Sequence, residues 1–222
     1  MNRIATLSIM ACALLCTVPA KASTIDIGLA QTPGIGSITT VATGSSTSGA
    51  SWAGSYDGYL FNLISANGSL NSSAIDVALP SFFGGATGPI YLYVTEAGVT
   101  SAQSIPTFLT NLSVTNLSSG WTVTETAYVD TTNTLYGTGT QLASLTGLGT
   151  QSLSQNVNVG SSPFSLTEVY AINSNGNLGL AYSSQSVAVT PLPPTIPLFI
   201  SGLAILGLIG WFGKRNAAAM SA

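Results

Sequence analysis

Seven carboxylates are the only side chains of this 222-residue sequence, outside its two ends, that titrate in the acidic-to-neutral range: Asp26, Asp57, Asp76, Glu96, Glu125, Asp130 and Glu168. There is no histidine, and the four basic residues, Arg3, Lys21, Lys214 and Arg215, sit in the terminal segments, as do Cys12 and Cys16. These absences exclude Ser-His-Asp and Cys-His arrangements, Ser-Lys dyads, Schiff-base chemistry, His- or Cys-ligated zinc and arginine clamps on phosphate. Nucleic acid is excluded as a partner by the same logic, since nothing between Ser23 and Gly213 can neutralise a phosphate. What remains is carboxylate chemistry: a pair of acids on a glycosidic bond, or acids holding calcium.

Two acids stand out by position. Alternation through Trp121–Val129 places Glu125 on the face of Trp121, Val123, Ala127 and Val129. Alternation through Phe164–Ile172 places Glu168 on the face of Phe164, Leu166, Tyr170 and Ile172. A carboxylate on an apolar face needs a partner, and no cationic side chain is at hand. Either the two share a carboxylate or calcium site, or a bulge or a strand end returns each of them to water. The second reading is the plainer one, and on it both are dispensable for chemistry. A glycosidase would need two acids converging in a cleft at roughly 5–9.5 Å. Asp130-Thr131-Thr132-Asn133 offers oxygens for calcium but lacks EF-hand spacing and reads as a turn. No cofactor, and no metal, is expected.

The elements that must carry these residues read as strands. Candidates are Thr24–Leu29, Tyr59–Ile64, Ile75–Leu79, Ile90–Thr95, Phe108–Thr115, Trp121–Val129, Ser152–Val159, Phe164–Ile172 and Leu178–Ser184, all rich in Thr, Val, Tyr and Ile. Turn signals at Asp57-Gly58, Asn67-Gly68, Gly84-Gly85 and Ser174–Asn177 separate them. The clearest hairpin signal runs Phe164–Asn173, turns at Asn175-Gly176 and returns through Leu178–Ser184. Gly44–Gly54 and Thr131–Thr150, rich in Gly, Ser and Thr, read as long loops or weak edge strands. The expected fold is all-β, an antiparallel β-sandwich, Ig-like or jelly-roll-like. Charged residues are only 5% of the chain against 45% hydrophobic, where about 25% charged is usual, so the body's surface is neutral, hydroxyl-rich and amide-rich. Trp52, Tyr56 and Tyr59 are candidate sugar-stacking aromatics or core residues.

The ends address the chain. Arg3, the apolar run Ile4–Val18 and the small-x-small triplet Ala20-Lys21-Ala22 form an export signal with cleavage before Ser23. Ile9-Met10-Ala11-Cys12 is a poor lipobox, and cutting there would leave most of the apolar run in place. At the other end Pro191, Leu192, Pro193 and Pro194 make an extended stalk. The uncharged stretch Ile196–Gly213, with Gly202, Gly207 and Gly210 and an interfacial Trp211-Phe212, is just long enough to span a bilayer, and Lys214-Arg215 supplies a basic stop-transfer signal.

Pro191-Leu192-Pro193, followed by Pro197-Leu198-Phe199, Ser201-Gly202-Leu203, Leu206-Gly207-Leu208 and the terminal basic pair, resembles the PEP-CTERM sorting tails of Gram-negative bacteria. Leu192 stands where the name-giving Glu would be, as in the V-P-L-P-A variant, with Thr190 for its first Val and Pro194 for its Ala. The resemblance is confined to the tail. It implies processing by exosortase near Pro191–Pro194, residence in the inner membrane during sorting, then the cell surface or extracellular space, often in organisms that make exopolysaccharide and biofilm. Leu192-Pro193-Pro194-Thr195 also matches four positions of a sortase signal, with Ile196 where that signal needs Gly. The expected division is a signal peptide (1–22), a β body (23–189), a stalk and sorting motif (190–195), a transmembrane helix (196–213) and a cytoplasmic tail (214–222). The expected partners are the Sec translocon, signal peptidase, exosortase and extracellular polysaccharide. A non-enzymatic surface or matrix protein fits best. The alternatives are a small carboxylate-dependent surface hydrolase and a sortase-type or simply membrane-anchored adhesin.

Overall fold

The alternating segments do form strands, twelve among the residues that the computed structural model describes: 23–68, 74–84, 88–101, 104–160, 163–175 and 179–190. They are β1 (Thr24–Ala30), β2 (Thr39–Ser45), β3 (Ala50–Tyr56), β4 (Tyr59–Gly68), β5 (Ala74–Gly84), β6 (Ile90–Val99), β7 (Thr107–Leu117), β8 (Thr122–Asp130), β9 (Thr140–Thr146), β10 (Gly149–Asn156), β11 (Phe164–Asn173) and β12 (Gly179–Thr190). A single 3-10 turn, Ile35–Ser37, is the one helical element among them. The leader (1–22) and the motif, span and basic pair of the tail (191–222) lie outside the described residues. Among the described residues no helix is long and apolar enough to cross a membrane.

The strands form two six-stranded sheets, ordered β2-β1-β6-β11-β8-β9 and β10-β7-β12-β5-β4-β3, with every pairing antiparallel. From β5 onward the pairs are nested: β5 with β12, β6 with β11, β7 with β10, β8 with β9. That is the winding of a jelly-roll sandwich. The β1–β2 pair widens the first sheet and the β3–β4 pair the second. The β3–β4 hairpin turns on Asp57 (φ 47) and Gly58 (φ 77), the two positive φ values that a two-residue hairpin turn requires.

The predicted Asn175-Gly176 hairpin does not form. β11 has β6 on one side and β8 on the other, so no edge is left for β12, which pairs with β5 and β7 in the opposite sheet. Asn175 does take the left-handed conformation of a turn residue (φ 50), and its N–H bonds Asn173 Oδ1 at 2.9 Å, yet the turn carries the chain between sheets. A local Asn-Gly preference cannot tell a hairpin from such a crossing. The segments Gly44–Gly54 and Thr131–Thr150 contain parts of β2, β3, β9 and β10, which are the four edge strands of the sandwich. In the Ser152–Val159 candidate the strand ends at Asn156, beyond which the Val157 and Val159 N–H groups still donate to the Pro106 and Ser104 carbonyls at 3.3 and 2.9 Å.

The core lies between the sheets, where Ile25, Ile27, Leu92 and Val123 of the first meet Phe61, Ile64, Val77 and Phe108 of the second. Two edge-to-face aromatic contacts clasp the layers, Phe108 on Phe164 at 6.0 Å and Tyr59 on Trp121 at 6.1 Å. Tyr59 is therefore a core residue, with its hydroxyl donating to the Gly88 carbonyl at 3.0 Å, and not a surface aromatic. Trp52 is half-buried and packs on Phe61 at 5.8 Å, which leaves Tyr56 half-buried nearby on β3.

Candidate functional site

Glu125 of β8 and Glu168 of β11 stand on the inner face of the first sheet. Tyr170 is directly across from Glu125 and Ala127 across from Glu168, so the two acids are diagonal neighbours. The β8–β11 register is unbroken from Ser165 to Asn173, so no bulge turns either acid outward. Both are 0% exposed. The plainer explanation, return to water by a bulge or a strand end, is overturned by that unbroken pairing. The Tyr170 hydroxyl donates to Glu168 Oε2, whereas Glu168 Oε1 and both Glu125 oxygens have no hydrogen-bond partner among the described residues.

The pair titrates accordingly. Burial, then the neighbouring Glu168, pushes the Glu125 carboxyl up to about 10. Burial pushes the Glu168 carboxyl up to about 8; the Tyr170 hydrogen bond opposes this, Asp76 adds to it and the Val187 backbone N–H opposes it. Burial, then Glu168 and Glu125, holds the Tyr170 hydroxyl well above its ordinary range. Near neutral pH both glutamates are uncharged acids, because a charge there would lack both solvent and counter-ion. Such a pair can hold a proton. It cannot reach a polymer, since neither acid has access to solvent, and a calcium ion would need six to eight oxygens where, among the described side chains, two carboxyls and a phenol are gathered. Among the described residues no group of three or more His, Cys, Asp or Glu side chains could hold a metal ion.

Four of the other acids, Asp26, Asp57, Glu96 and Asp130, serve local structure. Asp130 Oδ1 accepts from the Thr132 N–H at 2.8 Å and its hydroxyl at 2.7 Å, and Asn133 Oδ1 accepts from the Gly98 N–H at 2.7 Å, so Asp130–Asn133 is a turn clipped to β6. Asp26 accepts from the Thr43 hydroxyl and Glu96 from that of Ser23. Asp57 is the hairpin-turn residue already described.

A second arrangement, on the outer face of the first sheet, was not anticipated from the sequence. The central strand β11 contributes small side chains, Val169 and Ala171, with Tyr93 and Tyr91 of β6 across from them on one side. On the other side β8 sets Thr126 across from Val169 and Tyr128 across from Thr167. Small residues flanked by tyrosines leave a trough of about 440 Å³, whose rim is completed by Pro33, Gly34, Ile35 and Thr138. None of these lining residues is charged. The Gly34 N–H donates to the Tyr93 hydroxyl at 3.1 Å, and Gly34 adopts φ 132, which favours glycine. Tyr93 also packs edge-on against Tyr136 at 6.1 Å, which fixes its ring. Burial, then the nearby Tyr93, pushes the Tyr128 hydroxyl up, with a Thr126 hydrogen bond opposing, so Tyr128 stays a neutral donor. Tyr91 and Tyr93 alternate in the sequence, so a shared face was legible; that Tyr128 joins them depends on a register that no local pattern encodes.

No family model matches the chain, and no curated protein does. Solved structures with some likeness include the infectious bursal disease virus VP2 subviral particle, at 14% identity over 78% of this chain and 54% of that one, with a TM-score of 0.35. Two strains of the same virus resemble it to a similar degree: Gx at 14% identity over 76% of this chain and 52% of that one, TM-score 0.34, and Gt at 12% over 75% and 51%, TM-score 0.34. The chain spans about half the length of these structures.

Proposed function

We propose that this chain is an exported, non-enzymatic surface or matrix protein whose β body binds a neutral polysaccharide through the tyrosine trough. The leader before Ser23 directs export, and the tail, with its Pro191-Leu192-Pro193-Pro194 motif and Lys214-Arg215 pair, hands the chain to exosortase at the inner membrane. The observation that carries the binding reading is the trough itself: the half-buried rings of Tyr91 and Tyr128 stand over a floor that includes the buried Tyr93, with two threonines and no charged residue in the lining. Tyrosine rings present flat apolar surface to the C–H faces of sugars, and their hydroxyls exchange hydrogen bonds with sugar hydroxyls. Uncharged polymers rich in hydroxyls match that lining; anionic ones meet a body of net negative charge. The hydrolase alternative loses ground because the acids that converge, Glu125 and Glu168, are sealed from solvent.

The test is binding of the purified protein to a panel of neutral and acidic polysaccharides, with Tyr91→Ala and Tyr128→Ala beside the wild type. Each substitution should weaken binding of a neutral glycan about tenfold. Preference for acidic glycans, or binding unchanged in both variants, would reject the trough. Intact mass of the surface-exposed protein tests the sorting half: the product should run from Ser23 to the Pro191–Pro194 region, and retention of Ile196–Ala222 in exosortase-competent cells would mean a simple anchor.

A further inference from the structure

Ser23, the residue that cleavage after Ala22 would leave first, is built into the body. It is 7% exposed and lies beside Glu96, which is 2% exposed. The Ser23 hydroxyl donates to Glu96 Oε1, and the Ser23 carbonyl accepts from the Ser46 N–H at 3.0 Å. The next residues pair in register with β6, Thr24 with Ala97 and Ile25 with Glu96, so the sheet itself fixes Ser23 against this carboxyl. Ser46, in the β2–β3 connection, and Gly68, at the end of β4, close the same spot. A Cβ on Gly68 would fall 2.7 Å from Glu96 Oε1 and 2.9 Å from Ser46 Cβ. Two buried oxygens here, Glu96 Oε2 and Ser46 Oγ, have no hydrogen-bond partner among the described residues.

The spot lacks a donor, and a carboxylate calls for a cationic one. No side chain among the described residues can provide it, because Ser23–Gly213 contains no Lys, Arg or His. Among the described residues the groups facing Glu96 are Ser23 ahead of β1, Ser46 after β2 and Gly68 of β4, with Ile25 of β1 and Leu166 of β11 paired across from it, none of them ionisable. Burial raises the Glu96 pKa and the Ser23 hydrogen bond opposes it, with no charged neighbour contributing.

We propose that leader removal supplies the missing cation: the α-ammonium of Ser23 pairs with Glu96 and hydrogen-bonds Ser46, adding a buried ion pair to the already docked start of β1 once processing is complete. Water hydrolyses the Ala22–Ser23 peptide bond, the carboxylate stays on Ala22, and the amine left on Ser23 takes up a proton. Before cleavage that nitrogen carries one N–H and no charge. Afterwards it carries three donors and a full charge, three bonds from a hydroxyl already on the carboxyl. The proposal rests on the export reading of the N-terminus and is independent of the trough.

The test uses the exported, processed protein purified from cells. N-terminal sequencing should begin Ser-Thr-Ile-Asp. The rate of acetylation of the Ser23 α-amine is then followed against pH in the native protein and in urea. An α-amine ordinarily titrates near 8; in the native protein its apparent pKa should be raised by at least about one unit, a tenfold slower reaction at pH 7.5. Glu96→Gln, which keeps the burial but removes the charge, should restore most of that rate. Equal native and unfolded profiles, or a rate unchanged by Glu96→Gln, overturn the proposal; should that variant not fold, the wild-type profile alone decides. A different first residue overturns the cleavage site and the ion pair together, whereas a Ser23 start with an ordinary, freely reacting amine removes only the ion pair.

Discussion

Replacing Glu125 with Gln should make the protein more stable at neutral pH. Most substitutions of buried residues destabilise, so the direction alone is informative. In the unfolded chain the Glu125 carboxyl is ionised above about 4.5, whereas in the folded chain it is pushed up to about 10, chiefly by burial. Folding at pH 7 therefore has to bring a proton onto it. Each pH unit above the unfolded value costs about 1.4 kcal/mol, which by pH 7 amounts to about 3 kcal/mol. A glutamine of the same shape needs no proton, and because neither Glu125 oxygen has a partner among the described residues, no described hydrogen bond is lost with it. Because the folded-state pKa is the higher one, wild-type stability is fully present below about pH 4.5 and falls as pH rises through about 8 and 10, the folded values of Glu168 and Glu125. Glu125→Gln should match wild type near pH 4.5, then diverge upward, reaching roughly 5–10 °C in Tm at pH 7. Thermal unfolding of both proteins from pH 4.5 to 9.5 is the assay. A variant whose Tm at pH 7 is equal to or below that of wild type, with the same pH slope, would refute the claim that this acid is held neutral in the core.

Phe108→Ala, which removes one half of an inter-sheet aromatic contact, should cost about 3–5 kcal/mol in urea unfolding. Gly137→Ala would set a methyl 2.1 Å from Asp130 Oδ2; lowered thermal stability should follow, and an unchanged Tm would mean that the Asp130 turn shifts freely. Lys214→Ala combined with Arg215→Ala should impair processing of the tail, read as accumulation of the uncut species by intact mass. The Tyr91→Ala and Tyr128→Ala variants should keep wild-type thermal stability to within about 1 kcal/mol while losing glycan affinity, since both rings are partly exposed.

Which segments become strands could be read from alternation, because the period of two is a local property. Ile25, Ile27 and Leu29 face inward, and so do Glu125 and Glu168. The edge strands were only half legible: the weak apolar patterning in Gly44–Gly54 and Thr131–Thr150 fits long loops and weak edge strands equally, and the segments hold both, because a strand with one neighbour and a wet face needs little apolar alternation. Pairing was not legible. Asn175 carries a turn conformation in either topology, and only the occupation of both sides of β11 by β6 and β8 decides where the chain goes next. The tyrosine trough escaped for the same reason, since Tyr91 and Tyr128 are brought to one surface by two strand registers spanning a third strand. The fate of the two glutamates turned on register as well: a single bulge between Ser165 and Asn173 would have returned them to water.

The last strand of the body is not a peripheral one. β12 lies between β7 and β5, and its final residue, Thr190, is followed at once in the sequence by Pro191-Leu192-Pro193-Pro194. Until β12 arrives, β5 and β7 have no common neighbour, and the nested pairs wound around them lack their innermost support in that sheet. Such distant pairings make folding slow, because loop closure must precede any reward from contacts. A chain threaded through a membrane from its N-terminus would thus remain open for nearly its whole passage, fit for translocation, and could close only when Thr190 emerges. On the export and sorting proposed above, closure of the sandwich and emergence of Pro191–Pro194 from the membrane would then be consecutive events, so that the order of strand pairing sets when the chain can be cut.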